Sequence, residues 1–163
     1  MTSTTTIDAT ITVREFLGLF KPRIAFAIAL SAIGGMAIAP GPSPEAWQVV
    51  VLAVGVFVAA GSSGAFNQWA ESDLDRRMAR TANRLFASGR LYPGVGWLAV
   101  IVVLLTISVG LIATTINAWA ALYTFLGAFT YAVIYTLWLK RRTWLNIVIG
   151  GLAGSFAVLA GAA

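Results

Sequence analysis

Five long apolar stretches divide the chain. Hydrophobic residues dominate residues 24–39, 47–66, 94–115, 118–139 and 145–163. Most of these stretches reach or approach the ~20 residues that a helix needs to cross the hydrocarbon core of a bilayer. A helix also satisfies its own backbone hydrogen bonds, which a membrane interior demands. The pattern therefore predicts an all-α fold, a polytopic transmembrane helix bundle with about five spans.

The beginning of the chain has a different character. Residues 1–10 are polar and rich in threonine, which predicts a disordered segment. Hydrophobic residues then recur at helical spacing at Val13, Phe16, Leu17 and Phe20. This spacing is typical of a short amphipathic helix that lies on a membrane surface. We expect residues 1–19 to form an N-terminal tail and residues 20–163 to form the membrane domain.

Composition supports the membrane assignment and excludes several kinds of site. The chain is 59% hydrophobic and only 10% charged, whereas soluble domains carry about 25% charged residues. It contains no cysteine, which excludes a disulfide framework and a thiolate metal site. It contains no histidine, which excludes an imidazole ligand or base. Any metal bound by these residues must therefore be held by oxygen atoms.

The basic residues predict the orientation of the bundle. They lie before the first stretch (Arg14, Lys21, Arg23), after the second (Arg76, Arg77, Arg80, Arg84, Arg90) and after the fourth (Lys140, Arg141, Arg142). All three positions fall on one side of a five-span bundle, so the N-terminus and the basic loops should be cytoplasmic. We expect a multi-pass protein of the inner (plasma) membrane. Acidic residues and apolar spans interrupt the basic groups, which favours the lipid bilayer over nucleic acid as a partner.

A stripe of oxygen-bearing side chains follows the second stretch, in the loop 67–93. Asn67, Glu71 and Asp75 are spaced four residues apart, so they share one face of a helix that continues from the second span. Mg²⁺ is bound in this way, through one or two carboxylates together with substrate phosphate. Asp73 would point away from the stripe unless the helix has ended. Either Glu71 or Asp73 can be the closer ligand.

The neighbouring cations have two interpretations. The arginines from Arg76 to Arg84 can form salt bridges with the acidic residues, as in an ordinary solvated loop, or they can bind phosphate. The second basic group, Lys140 to Arg142, lies on the same side and can close over the same anion. Asn67 favours a functional site, because a polar side chain at the end of an apolar helix is costly unless it has a role.

Three separate motifs stand out along the chain. They are Phe20-Lys-Pro-Arg-Ile24, then Asn67-x-x-x-Glu71-x-Asp73-x-Asp75-x-x-Met78-x-Arg80-Thr81-x-x-Arg84, then Leu139-Lys-Arg-Arg-Thr143 followed by Asn146-Ile-Val-Ile-Gly-Gly-Leu-Ala-Gly154. Together they resemble the UbiA superfamily of intramembrane prenyltransferases, and most closely its protohaem IX farnesyltransferase (haem O synthase) branch. The chain departs from the family at Leu85-Phe86-Ala87 and at Ala157-Val158, where prolines are usual. It also lacks the second Asp-rich motif, so the resemblance covers the N-terminal part of a nine-helix bundle.

The resemblance implies an enzyme that uses Mg²⁺ to transfer a farnesyl group from farnesyl diphosphate to a vinyl group of protohaem IX, giving haem O on the route to haem A. It implies that Asn67, Glu71 and Asp75 are catalytic and that these residues and Asp73 bind the metal. The implied diphosphate-binding residues are Lys21, Arg80, Arg84, Lys140 and Arg141.

Aromatic residues near the motifs also have two interpretations. Trp69, Tyr131 and Tyr135 are candidates to face an allylic cation through their ring quadrupoles. Tyrosine and tryptophan near span ends are, however, more often anchors at the membrane interface.

Two other functions remain open from the sequence. The same chemistry can act on an aromatic or quinone precursor instead of protohaem. Alternatively, the chain can be a non-catalytic transporter or assembly protein. Transporters tend to place ionisable residues at mid-membrane, whereas those of this chain are expected at one face, which favours an active site there.

Overall fold

A computed structural model describes residues 10–163 of the chain, apart from the side chain of Arg141. The predicted polar segment therefore falls largely outside the described residues. Seven α-helices follow one another: α1 (Val13–Gly18), α2 (Pro22–Ile38), α3 (Ala46–Ala70), α4 (Ser72–Arg76), α5 (Val95–Thr115), α6 (Ala118–Phe129) and α7 (Asn146–Ala162). A π-helix, Thr130–Trp138, continues α6, and a 3₁₀ turn, Leu139–Arg141, follows it. The described residues contain no β-strand.

The five predicted spans correspond to α2, α3, α5, α6 with its π-helix, and α7. Three of these are long and apolar enough to cross a membrane, namely Ala46–Ala70, Val95–Thr115 and Ala118–Trp138. The other two, Pro22–Ile38 and Asn146–Ala162, are apolar and have 17 residues each. The predicted all-helical polytopic bundle is thereby confirmed.

The helix α3 extends beyond the predicted end of the second span, as the expected stripe requires. The helix continues past residue 66 as far as Ala70, so Asn67 and Gln68 lie inside it. Gln68 is buried, and its amide nitrogen donates hydrogen bonds to the carbonyl oxygens of Gly18 and Leu19, at 2.9 and 3.1 Å. These bonds satisfy a polar group that would otherwise destabilise a buried helix end. They also connect α3 to the turn between α1 and α2.

The close packing of α2 against α7 depends on two glycines. A Cβ atom on Gly35 would overlap the main chain of Val158, and one on Gly161 would overlap the main chain of Ala32. Ala25, Ala29 and Ala32 are also buried in α2. Small residues allow helix backbones to approach closely in a membrane, where van der Waals packing replaces the hydrophobic effect as the driving force. This contact brings the first and last of the five long apolar helices together.

The helix α1 forms where the hydrophobic spacing predicts it. A capping box begins it: the Thr12 hydroxyl accepts from the backbone N–H of Glu15, and Glu15 accepts from the backbone N–H of Thr12. Arg90 donates to the Glu15 carboxylate, and this hydrogen bond is the largest cause of the lowering of the Glu15 pKa to about 2. The Glu15–Arg90 ion pair joins α1 to the loop before α5. The location of α1 on a membrane surface stays a prediction.

The contact of Gly35 with α7 predicts that alanine substitutions at two neighbouring glycines differ in their effect on the free energy of unfolding. Gly35→Ala should lower the free energy of unfolding by about 1–3 kcal/mol, because overpacking costs this much in a filled interior. Gly34→Ala is the matched control, since a Cβ at Gly34 meets nothing within 4 Å. Thermal unfolding in a lipid nanodisc, followed by tryptophan fluorescence, compares the two. Equal stability of the two variants would contradict this packing.

Candidate functional site

The predicted stripe is present at the end of α3. The backbone N–H of Glu71 donates to the carbonyl of Asn67 at 3.1 Å, and that of Asp75 donates to the carbonyl of Glu71 at 2.8 Å. Helical hydrogen bonding thus carries the four-residue spacing across the boundary between α3 and α4. Asn67, Glu71 and Asp75 are 2%, 1% and 3% exposed. Buried carboxylates need partners, so their surroundings determine what the site can do.

Two lysines from distant parts of the chain contact the stripe. Lys21 Nζ donates to Asn67 Oδ1 at 2.6 Å, and Lys140 Nζ donates to Glu71 Oε2 at 2.6 Å. Asn67 Nδ2 donates to the same Glu71 oxygen at 2.7 Å. The first motif, the stripe and the basic turn after the π-helix therefore meet at one place. Lys140, from the second basic group, thus contacts the stripe itself, and the closure of this group over an anion stays a prediction; the side chain of Arg141 is outside the described part of the chain.

Asp75 is held by the loop that follows α4. Arg84 Nη1 donates to Asp75 Oδ2 at 2.7 Å, and the Thr81 hydroxyl donates to the Asp75 carbonyl at 3.0 Å. Of the two interpretations offered for the arginines, Arg84 thus forms a salt bridge here. Its side chain remains 27% exposed, whereas that of Asp75 is 4% exposed. Arg84 can therefore contact both the carboxylate and an anion that arrives from outside.

Two members of the stripe, Asn67 and Asp75, line a cleft of about 500 Å³, whereas the buried Glu71 side chain does not line it. The charged and amide side chains that line it are Glu15, Lys21, Asn67, Gln68, Asp75, Arg80, Asn83, Arg84 and Lys140. Four of these are cations from three separate segments, which makes the cleft suitable for a multiply charged anion. Arg80 is exposed at its edge.

A narrow apolar slot of about 50 Å³ adjoins the cleft. Alanines, glycines and aliphatic side chains of α2, α3, α6 and α7 form most of its wall. Lys21, Ile24 and Tyr131 line both cavities. The two cavities are therefore adjacent, with the Lys21 ammonium and the Tyr131 hydroxyl, 3.0 Å apart, at their junction. This combination suits an amphiphile with an anionic head and a hydrocarbon tail.

Lys21 occupies an unusual backbone conformation. Its φ of 48° is in the left-handed region, which non-glycine residues adopt at a cost of about 1–3 kcal/mol and mostly at functional positions. Pro22 begins α2 immediately after it. Burial lowers the pKa of Lys21 to about 8; the Arg84 cation acts in the same direction and the Glu71 carboxylate opposes it. A bound anion would favour the charged form of this lysine.

The π-helix presents Thr136, which the sequence interpretation did not include, together with Tyr131 and Tyr135, which it did. Thr136 is fully buried; its hydroxyl accepts from Asn67 Nδ2 at 3.2 Å and donates to the Tyr131 carbonyl at 2.8 Å. Tyr131 and Tyr135 stack with ring centroids 5.4 Å apart, and both line the cleft. The only sequence signal for Thr136 is a polar residue within an apolar stretch, and that signal is weak for threonine.

The stripe fits a magnesium ion. Glu71 Oε1 is buried and has no hydrogen-bond partner, so one carboxylate oxygen remains for a cation. The side chains of the stripe offer carboxylate and amide oxygens, which are ligands that Mg²⁺ prefers. Among residues 10–163, no group of three or more acidic, histidine or cysteine side chains converges. One or two carboxylates suffice where phosphate supplies the other ligands.

Two predicted residues lie apart from this arrangement. Asp73 is exposed and does not line the cleft, as its position off the stripe indicates. Trp69 lines neither cavity; its indole donates to the Gly94 carbonyl at 3.2 Å, and its ring packs against the cluster of Leu19, Leu85 and Phe86. Tyr131 and Tyr135 are therefore the aromatic candidates that the structure brings to the cleft.

The chain was found to be similar to one protein family and to several curated proteins. Residues 28–163 match the UbiA prenyltransferase family. Protoheme IX farnesyltransferase 2 of Paramagnetospirillum magneticum is 49% identical over 94% of this chain and 54% of its own length. The protoheme IX farnesyltransferase of Caldivirga maquilingensis is 40% identical over 91% of this chain and 53% of its own length.

The similarity to these relatives is partial in length. The protoheme IX farnesyltransferase of Rhizobium etli (strain CIAT 652) is 40% identical over 91% of this chain and 46% of its own length. The chain thus spans about half the length of the curated relatives it matches. No solved structure matches it significantly.

The contact between Lys140 and Glu71 predicts a specific pattern of stability. Lys140→Met leaves the buried Glu71 carboxylate without its cation and should lower the free energy of unfolding by about 3 kcal/mol, the low end for a broken buried pair because the Lys140 side chain is 32% exposed. Adding Glu71→Gln removes the unpaired charge and should recover at least half of this loss. Arg77→Met, at an exposed position, is the control and should stay within about 0.5 kcal/mol of the wild type. Failure of the double variant to recover would contradict the pairing.

Proposed function

Because the chain belongs to the UbiA prenyltransferase family, we propose that it takes part in the transfer of a farnesyl group from farnesyl diphosphate to a vinyl group of protohaem IX. The observation that carries this proposal is the junction of a cationic cleft with an apolar slot, both lined by Lys21 and Tyr131. An amphiphilic diphosphate would place its head in the cleft and its tail in the slot.

In this proposal, cations from three segments bind the diphosphate. Lys21, Arg80, Arg84 and Lys140 line the cleft, and Arg141 belongs to the same basic group. Guanidinium and ammonium groups stabilise the negative charge that develops as the carbon–oxygen bond to the diphosphate breaks. Lys140 and Arg84 are already paired with Glu71 and Asp75, so they are oriented before the substrate arrives.

Asn67, Glu71 and Asp75 would hold the magnesium ion, with Glu71 Oε1 as the free carboxylate oxygen. Asp73, the fourth predicted metal residue, is exposed and outside the cleft, so the ion in this proposal is held without it. Bound magnesium neutralises diphosphate charge and acts as a Lewis acid toward the leaving group. The chain's own contribution is to fix these oxygens: the helix sets their spacing, and Arg84 orients Asp75.

The apolar slot would bind the prenyl tail and exclude water from the reacting carbon. Small residues, mainly alanine and glycine, give the slot an apolar wall between α2, α3 and α6. Tyr131 and Tyr135, stacked beside the junction, would face the allylic cation with their negative ring faces. Buried apolar surface contributes about 25 cal/mol per Å², so the tail would supply much of the binding energy.

The proposed acceptor rests on the relatives' printed names. Three relatives from different organisms are called protoheme IX farnesyltransferases, and this supports protohaem IX over an aromatic or quinone precursor. The product would be haem O, a precursor in haem A biosynthesis.

The helices indicate a multi-pass membrane protein. We propose that it lies in the inner (plasma) membrane, with the cleft facing the cytoplasm, where the basic loops are expected.

Activity and the role of Asp75 can be tested together. Membranes carrying the longest reading frame that contains this chain should convert farnesyl diphosphate and protohaem to haem O when Mg²⁺ is present. Asp75→Asn should lower the rate at least about a hundredfold, as loss of a charge-stabilising group does, while insertion is unchanged. Chromatography of extracted haems measures the product. Turnover of an aromatic acid in place of protohaem would overturn the proposed acceptor, and an unaffected Asp75→Asn would remove Asp75 from the site.

If the slot binds the prenyl tail, a substitution that fills it should weaken binding of farnesyl diphosphate but not of inorganic pyrophosphate. Ala60 lines the slot and is partly buried, so Ala60→Phe should fill it. Affinity for farnesyl diphosphate should fall about tenfold or more, whereas affinity for inorganic pyrophosphate should change less than about twofold. Ala53→Phe, on the same helix but outside both cavities, is the control. Equilibrium dialysis measures both ligands, and equal losses for the two would contradict the assignment.

A further inference from the structure

We infer that Thr136 is a positioning residue that holds the Asn67 amide oxygen toward the cleft while the other partners of Asn67 exchange. This inference rests on the proposed function and adds a residue that no motif of the sequence identifies. Its basis is the hydrogen-bond arrangement around one fully buried hydroxyl.

The orientation of the Asn67 side chain follows from the chemistry of its neighbours. A threonine hydroxyl has one proton, and that of Thr136 is donated to the Tyr131 carbonyl, which can only accept. Toward Asn67 the hydroxyl oxygen must therefore accept, so it faces Nδ2. Once Nδ2 is held there, Oδ1 is directed to Lys21 at the edge of the cleft.

The three partners of Asn67 differ in what a ligand would do to them. Lys21 and Glu71 are ions that border the proposed diphosphate and magnesium positions, so they would redistribute their contacts when these bind. Thr136 is neutral, has no exposed surface and is fixed by its own bond to the main chain. It is therefore the partner that can keep Nδ2 in place and leave Oδ1 free to coordinate.

The π-helix makes this contact available. The Thr136 hydroxyl reaches the carbonyl five residues earlier, at Tyr131, within the wide helical turn Thr130–Trp138. The same segment places Tyr131 against Lys21 and stacks Tyr135 on Tyr131. Gly150 accommodates it, because a Cβ there would lie 2.7 Å from Tyr135 Cδ2. π-Helical segments are often found at functional sites. Here the segment contacts Asn67 through Thr136 and lines the cleft with Tyr131 and Tyr135.

Three substitutions separate positioning from general stability. Thr136→Val keeps the shape and removes the hydroxyl, whereas Thr136→Ser keeps the hydroxyl. Ser62→Ala removes another buried helical hydroxyl, which bonds only to the Val58 carbonyl. With Mg²⁺ present, Thr136→Val should weaken farnesyl diphosphate binding about tenfold. Thr136→Ser and Ser62→Ala should each stay within about twofold of the wild type.

A double-mutant cycle then asks whether Thr136 acts through Asn67. In an Asn67→Ala background, Thr136→Val should change the dissociation constant less than about twofold, because the group it positions is absent. Equilibrium dialysis with labelled farnesyl diphosphate, on the chain in nanodiscs, gives all the constants. A tenfold loss in both backgrounds, or no loss in either, would overturn the inference.

The dissociation constant of farnesyl diphosphate for the wild type distinguishes a failure of this inference from a failure of the proposed function. If the wild type does not bind farnesyl diphosphate in the presence of Mg²⁺, the proposed function fails and the inference fails with it. If the wild type binds and Thr136→Val binds equally well, only the role of Thr136 is contradicted.

Discussion

The burial of two carboxylates at the end of a membrane helix is the constraint on which the rest of the site depends. Glu71 and Asp75 are almost inaccessible, and an unpaired buried charge is strongly destabilising. Lys140 supplies the compensating charge for Glu71 from 69 residues further along the chain, and Arg84 supplies that for Asp75 from the loop after α4. The stripe therefore organises the loop after α4 and the turn after the π-helix around itself. The result is a cleft whose cations are oriented without any ligand.

The same constraint connects structure to the proposed chemistry. A site with buried carboxylates paired to cations can exchange those partners for a magnesium diphosphate with little change in net charge. One free oxygen, Glu71 Oε1, is available for the incoming ion. The apolar slot adjoining the cleft then separates head from tail, so that a reactive allylic carbon would lie at the junction near Lys21 and Tyr131. Anion binding and exclusion of water are thus achieved by neighbouring parts of one bundle.

Much of this arrangement could be predicted from local spacing. The apolar stretches gave five helices because a membrane leaves the backbone few alternatives, and the four-residue spacing placed Asn67, Glu71 and Asp75 on one face. Long-range pairing was less accessible. The sequence predicted that Lys140 would approach the same anion as the stripe, but not that it would bond to Glu71. The π-helix and the role of Thr136 could not be predicted, because a hydroxyl in an apolar helix commonly bonds to its own backbone. Trp69 packs elsewhere because its indole finds a loop carbonyl.

The central claim is that a divalent ion and a prenyl diphosphate occupy the stripe and the cleft together. Two ligands that share a site in this way must strengthen each other's binding by the same factor. The most direct measurement is the dissociation constant of farnesyl diphosphate for the nanodisc-embedded chain, with and without Mg²⁺. Our account predicts binding at least about tenfold tighter with the ion, and the reciprocal gain for the ion. Equal affinity in the two conditions, or binding in neither, would contradict it.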